Sequence, residues 1–203
     1  MMKFRRLIGG ILCAAMVLSS SACLRSIAHR KSSNGGVSSE RSDTSNYSSE
    51  EYLSRPEYGN ETVGWFSLDV SFFQWYTPGN TSTCVQYAKS PYEILTMDVI
   101  DAEAIKQQSG ADFTSKEAAG TRLYQLQQEA ETSNIEKLTG AREALGSYDA
   151  YQVYCYYPDD DQYLVMWYMD SPDRTKVYYV AAEFRSSEMS FFNYAQTYQM
   201  PGN

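Results

Sequence analysis

Hydrophobic and polar positions divide the chain into three stretches. Leu7 to Leu18 runs without a charge and is dominated by Ile, Leu, Ala, Met and Val. A run of about a dozen apolar residues is short for a membrane-spanning helix, which needs roughly 20. From residue 24 to about 58 the chain is rich in Ser, Asn, Gly and Glu, as in Lys31-Ser32-Ser33-Asn34-Gly35-Gly36. That composition buries too little apolar surface to offset its ordering entropy. From about Glu61 onward apolar residues return, and most of the eighteen tyrosines lie there.

Within this third stretch the patterning predicts alternating elements. Gly64-Trp65-Phe66-Ser67-Leu68-Asp69-Val70 alternates in a strand-like way. Tyr76-Thr77-Pro78-Gly79-Asn80 is turn chemistry. Strands are expected at Thr83–Ala88 and Tyr92–Ile100, separated by Pro91. A helix is expected from Thr114, where Thr114-Ser115-Lys116-Glu117 fits a capping box. Its core stripe is predicted as Ala119, Leu123, Leu126 and Ala130, with Arg122, Gln125, Gln128 and Glu129 toward water. Weak helical signal continues through Ile135 and Leu138, and Gly140 ends any regular run. Tyr151–Tyr157, Tyr163–Met169 and Lys176–Phe184 follow as strands joined by short turns, which predicts an antiparallel meander. Both faces of these strands are apolar, so both need cover. A second helix is expected within Ser187–Thr197.

The N-terminus changes the picture most. Met1-Met2-Lys3-Phe4-Arg5-Arg6 is a short basic region ahead of the apolar run, and Ser19-Ser20-Ser21-Ala22-Cys23 follows it. This is the layout of an export signal. Small residues before Cys23 resemble the bacterial lipobox, in which the cysteine thiol takes a diacylglycerol. Ser20 departs from the Leu preferred three residues before the cysteine. The expected organisation is a signal peptide over 1–22, a flexible tether over 23–58 and one globular domain over 59–203. The expected address is the extracytoplasmic face of the cell membrane, with lipid on Cys23 as the anchor. Ordinary secretion after Ala22, with Cys23 an incidental thiol, is the alternative.

Loss of residues 1–22 removes Lys3, Arg5 and Arg6 and no acid, which takes the net charge from −8 to −11. That balance argues against nucleic acid, whose binding needs a basic footprint. The single histidine, His29, lies in the tether. A domain without histidine has no Ser-His-Asp or Cys-His nucleophile pair and no histidine-based zinc site. No phosphate-cradling glycine motif occurs, and no cofactor is expected. Carboxylates are the remaining catalytic chemistry. Asp98 and Asp101 flank a strand end, and Asp159-Asp160-Asp161 forms an acidic cluster that could hold Ca2+ weakly. Cys84 and Cys155 remain in the domain, as a disulfide or as two buried thiols. Tyr154, Tyr156, Tyr163, Trp167, Tyr178 and Tyr179 are candidates for an aromatic binding surface. The alternative is that they fill the core, since Tyr suits a half-buried strand.

The order of elements resembles the small lipoproteins of the PsbP/Mog1-like superfamily. The resemblance rests on Val63-Gly64-Trp65-Phe66-Ser67-Leu68, Val85-Gln86-Tyr87-Ala88, the central helix, and Gly146-Ser147-Tyr148-Asp149-Ala150-Tyr151-Gln152-Val153-Tyr154. The strand-turn-strand after Pro158 and a closing aromatic helix complete it, so it covers roughly residues 61 to 200. It implies an α+β fold, a central antiparallel sheet flanked by helices. It also implies action by docking, since relatives dock on photosynthetic complexes or on a small GTPase. No binding residue carries over. Two functions follow as expectations: a non-catalytic docking module for an unknown protein or envelope ligand, or a carboxylate-based hydrolase or weakly ion-binding domain.

Overall fold

The structure, a computed structural model, describes residues 57–69, 71–76 and 83–202. The signal peptide, Cys23, His29, nearly all of the tether and most of the turn at Tyr76–Asn80 lie outside the described residues. Strand β1 (Glu57–Asn60) begins two residues inside the expected tether. It is followed by β2 (Gly64–Ser67), β3 (Phe73–Tyr76), β4 (Val85–Ser90) and β5 (Glu93–Asp101). Then come helices α1 (Ala102–Ser109) and α2 (Ser115–Glu129). Strands β6 (Glu136–Leu145), β7 (Tyr148–Tyr157), β8 (Gln162–Asp170) and β9 (Lys176–Arg185) follow. A 3-10 segment (Ser186–Phe191), a short helix α3 (Phe192–Ala195) and β10 (Tyr198–Gln199) close the chain.

Seven strands form one antiparallel sheet in the order β3-β4-β5-β9-β8-β7-β6, and β1-β2-β10 form a second, small one. The chain is thus α+β, with the meander β7–β8–β9 as expected. Side-chain alternation divides the large sheet between two cores. Leu95, Met97, Val165, Trp167, Met169, Val180, Ala182 and Phe184 face the small sheet and the C-terminal segment, meeting Phe66, Leu68, Phe191 and Tyr198. Val153, Leu164, Met166, Val177 and Ala181 face the helices, meeting Ala102, Ile105, Ala118 and Leu126. Strands β8 and β9 are therefore apolar nearly throughout, because neither face meets water.

Three local readings change. Residues 136–145, expected to trail off as weak helix, form the ten-residue edge strand β6. Arg122, expected toward water, is buried, while Leu123 is only half-buried. A helix lying on a sheet rotates to put its closest residues down, here Ser115, Ala118, Ala119, Arg122 and Leu126. The cap also differs. Thr114 occupies the N-cap of α2 but makes no capping hydrogen bond to the backbone; its hydroxyl meets the Glu117 carboxylate instead. The Ser115 amide and hydroxyl donate to Asp170 at 2.7 and 2.8 Å, so the last residue of β8 satisfies the helix start.

Candidate functional site

The six aromatic residues proposed from sequence do not form one surface. Tyr163, Trp167 and Tyr178 are buried on the small-sheet face, with Tyr154 and Tyr156 half-buried beside them. Tyr179 is buried on the opposite, helix-facing side. Strand alternation makes this unavoidable, because Tyr178 and Tyr179 are neighbours in β9 and must point to opposite faces. The core alternative is thus the right one for Tyr163, Trp167, Tyr178 and Tyr179. Tyr156 stacks on Tyr163 with centroids 4.4 Å apart, and Tyr163 stacks on Phe184. Lys137 closes this ladder: its Nζ donates to the Tyr163 hydroxyl at 2.7 Å and lies 4.9 Å from both the Tyr156 and Tyr163 rings.

A polar cluster sits between α2 and the sheet. Arg122 and Gln125 come from α2, Tyr168 from β8, and Tyr179 and Glu183 from β9. Arg122 Nε, both amide atoms of Gln125, the Tyr179 hydroxyl and Glu183 Oε1 are buried without a hydrogen-bond partner among the described residues. Burial pushes the Glu183 carboxyl up to about 8, against a smaller downward pull from the Arg122 guanidinium. The Tyr168 and Tyr179 hydroxyls are raised, also chiefly by burial. Cys155 lies on the same face, and burial pushes its thiol up to about 12, which makes it a poor nucleophile. Cys84 and Cys155 are both buried as thiols, so no disulfide joins them.

The carboxylates noted in the sequence are tied into local structure. Burial raises Asp98, which accepts from the Thr83 hydroxyl and the Val99 amide. Asp101 caps α1 through the Ala104 amide at 2.8 Å. In the acidic turn, Asp159 accepts from Asn134, and Asp161 accepts from Tyr156 and Ser186. Among the described residues, no group of three His, Cys, Asp or Glu side chains could hold a metal ion. An open depression is lined by Asp101, Glu103, Gln107, Thr175 and Lys176.

The exposed apolar groups lie elsewhere. Tyr92, in the β4–β5 turn, is 46 % exposed, and Met189 in the 3-10 segment is 50 % exposed. Arg185 ends β9 four residues before Met189, and its guanidinium lies 3.4 Å from the Tyr92 ring centroid. Gln162 Nε2 donates to the Tyr92 carbonyl at 3.2 Å, which fixes the turn against β8. Lys89 pairs with Glu93 at 3.3 Å; burial pulls its ammonium down, and the Glu93 hydrogen bond and charge, helped by Tyr194 and Glu188, outweigh that and hold it raised. Tyr92 and Arg185 thus meet where the β4–β5 turn stands beside the end of β9, with the Lys89–Glu93 pair flanking the same turn, while Phe73 on β3 and Tyr124 on α2 are also exposed. Pro91 reads as a strand break and the expected strand ends at Phe184, so nothing in the sequence brings Tyr92 and Arg185 together.

Among the described residues, no helix is long and apolar enough to cross a membrane. No family model and no curated protein matches the chain. The fold is similar to the solution structure of cyanobacterial PsbP (CyanoP) from Synechocystis sp. PCC 6803, at 9% identity and a TM-score of 0.48, covering 71% of this chain and 91% of that one. It is also similar to LpqN, a protein involved in cell envelope biogenesis of Mycobacterium tuberculosis, at 13% identity and a TM-score of 0.40, covering 75% and 96%. At these identities and scores the likenesses bring no family, ligand, partner or activity to this chain.

Proposed function

We propose that this chain is a lipoprotein held on the extracytoplasmic face of the cell membrane through Cys23, and that its domain is a non-catalytic docking module. The anchor reading is supported by the basic start, the apolar run and Ser21-Ala22-Cys23. Several acyl chains give durable attachment at about 0.8 kcal/mol per buried CH2, where one alone is marginal. The observation that carries the docking reading is the exposed Tyr92 ring with the half-buried Arg185 guanidinium stacked on it, followed four residues later by the exposed Met189. Tyr and Arg are the side chains that dominate binding hot spots, and Met adapts to irregular surfaces. The ligand is a protein or envelope component.

Two experiments test this. Cys23→Ala abolishes lipid labelling and lipoprotein-type processing; normal labelling in that variant refutes the anchor. A photo-crosslinking side chain at position 189, in intact cells, gives a discrete adduct that Tyr92→Ser and Arg185→Ser weaken at equal folded fraction. Adduct yield that ignores both substitutions refutes the docking reading. The hydrolase alternative rests on Glu183, because a carboxyl that stays neutral at pH 7 can act as an acid. Its burial beside Arg122 weighs against that reading. Turnover of a cell-wall or peptide substrate, lost in Glu183→Gln, would reverse the ranking.

A further inference from the structure

Helix α2 lies over β6, β7, β8 and β9 on a thin apolar footing. Its buried residues are Ser115, Ala118, Ala119, Arg122 and Leu126, so that footing is two alanines and one leucine. The opposite side of the sheet is closed by Phe66, Phe191 and Tyr198. The connectors beside α2 are exposed: Gly110, Ala111 and Asp112 before it, and Glu131 to Asn134 after it. Its N-terminal end is the tied one, through the buried Phe113 and the Ser115–Asp170 bonds. Further along, the interface turns polar. Glu183 stands on β9 between Ile94 of β5 and Leu164 of β8, and Arg122 faces it from α2. Near them are Glu129 of α2, Cys155 and Tyr157 of β7, and Tyr168 of β8. Tyr179 and Arg185 share the strand and face of Glu183, and Asp98 of β5 stands opposite Tyr179. On α1, Glu103 and Lys106 are exposed.

We propose that α2 is a lid hinged at Phe113–Ser115, and that loss of the proton from Glu183 opens it above Cys155. A closed lid keeps Glu183 out of water, and an open one returns it there. Burial keeps the closed carboxyl protonated up to about 8, against 4.5 in water. Between those values the closed state holds a proton that the open state has released. Opening therefore becomes easier as pH rises through that range, and levels off above it. Arg122 attracts the new carboxylate, but burial is the larger effect. Asp98 is raised by burial too and acts in the same direction. Cys155, Tyr157, Tyr168 and Tyr179 are all pushed up by burial and stay neutral throughout. The orphaned atoms of Arg122, Gln125, Tyr179 and Glu183 favour opening as well, because each gains water when the lid lifts. Opening uncovers Val153, Cys155, Leu164 and Met166. None of this depends on the docking reading.

The test is labelling of the native full chain by an aromatic disulfide reagent, with each labelled cysteine identified by mass spectrometry. Cys155 lies in the core beneath α2, whereas Cys84 precedes β4, outside the four strands that α2 covers. Cys155 should react before Cys84, at a rate that low urea changes little, because a lid exposes little surface. Between pH 6 and pH 9 that rate should rise about tenfold more in the wild type than in Glu183→Gln. The thiol's own titration is common to both chains and cancels in the comparison. Equal thermal midpoints at pH 6 establish that both chains are folded. If the variant does not fold, amide exchange on the wild type decides. Protection of Lys116–Glu129 should drop about tenfold from pH 6 to pH 9 and stay below that of β8 at both. Labelling of Cys84 and Cys155 together at every pH, or equal protection in α2 and β8, overturns the lid. An equal rise in the wild type and Glu183→Gln, or unchanged α2 protection, overturns its control by Glu183.

Discussion

Replacing Glu183 by Gln tests the buried polar cluster most directly. The carboxyl ionises near 4.5 in an unfolded chain and near 8 in the fold. Between those values the folded state holds a proton that the unfolded state has released, so stability falls as pH rises through that window. It is highest below about pH 4.5 as far as this group is concerned, and the loss is complete above about 8. Each pKa unit is worth 1.36 kcal/mol, which puts the loss at roughly 2–5 kcal/mol once the Arg122 attraction and local relaxation are allowed for. Asp98, also raised by burial, acts in the same direction. Asp161 and Asp173 are lowered, Asp173 to about 2, by side-chain hydrogen bonds from Ser186 and from Ser171. Their stability is present above pH 4 and is lost only in acid, outside the window. Glu183→Gln is nearly isosteric and cannot ionise. The assay is urea unfolding of the unlipidated chain at pH 5, 6, 7, 8 and 9. The wild-type midpoint should fall across that series, and the variant's midpoint should stay much flatter. A variant slope equal to the wild-type slope, or a wild-type midpoint that rises from pH 5 to 8, refutes the burial argument.

Other outcomes follow from packing and backbone geometry. Leu126→Ala should cost about 2–5 kcal/mol because Leu126 is fully buried, and Leu123→Ala less because Leu123 is half-buried, both read from denaturant midpoints. Asp170→Ala should cost about 0.5–2 kcal/mol by uncapping α2, and more than Thr114→Ala; equal costs would show that the cap is local. Gly64→Ala forces a side chain onto φ +94 and sets its β-carbon 2.4 Å from the Gln199 carbonyl. The φ alone costs about 1–3 kcal/mol, and amide exchange should quicken first in β2 and β10.

How much of this was legible depended on burial. The strands of the meander and the placement of α2 followed from apolar periodicity, because β8 and β9 are covered on both faces and α2 on one. Strand β6 escaped because Glu136-Lys137-Leu138-Thr139-Gly140-Ala141-Arg142-Glu143-Ala144 is exposed apart from the half-buried Leu138 and carries no strand alternation before the buried Leu145. Its residues are fair helix formers, and only pairing with β7 makes it a strand. Strands β1 and β10 are too short to show a period, and each exists because it pairs with β2. The burial of Arg122 could not be read because one charged residue beside a helical stripe ordinarily faces water. Its reason, Glu183, lies 61 positions away. The Tyr92–Arg185 contact needed the end of β9 beside the β4–β5 turn, which only the strand order supplies.

The hairpin β1–β2 has a mechanical consequence. Residue 56 leads directly into Glu57, so any pull on the chain N-terminal to the domain enters through β1. Glu57 pairs with Ser67, at the open end of that hairpin. Tension therefore falls on one hydrogen-bonded pair at a time, as in a zipper, and not on the whole ladder at once. Tyr58 is the second tooth: its ring packs against Phe72 and Tyr87, and its hydroxyl accepts from the Phe72 amide. Once Tyr58 is drawn out, Gly59 and Asn60 still pair with Trp65 and Gly64, and the Asn60 carboxamide accepts from the Thr62 and Val63 amides, so the turn end of the hairpin lets go last, while β2 stays clamped to β10 on its other side. Under load the domain thus gives way from Glu57 inward, and Tyr58 is the point at which its core first feels the force.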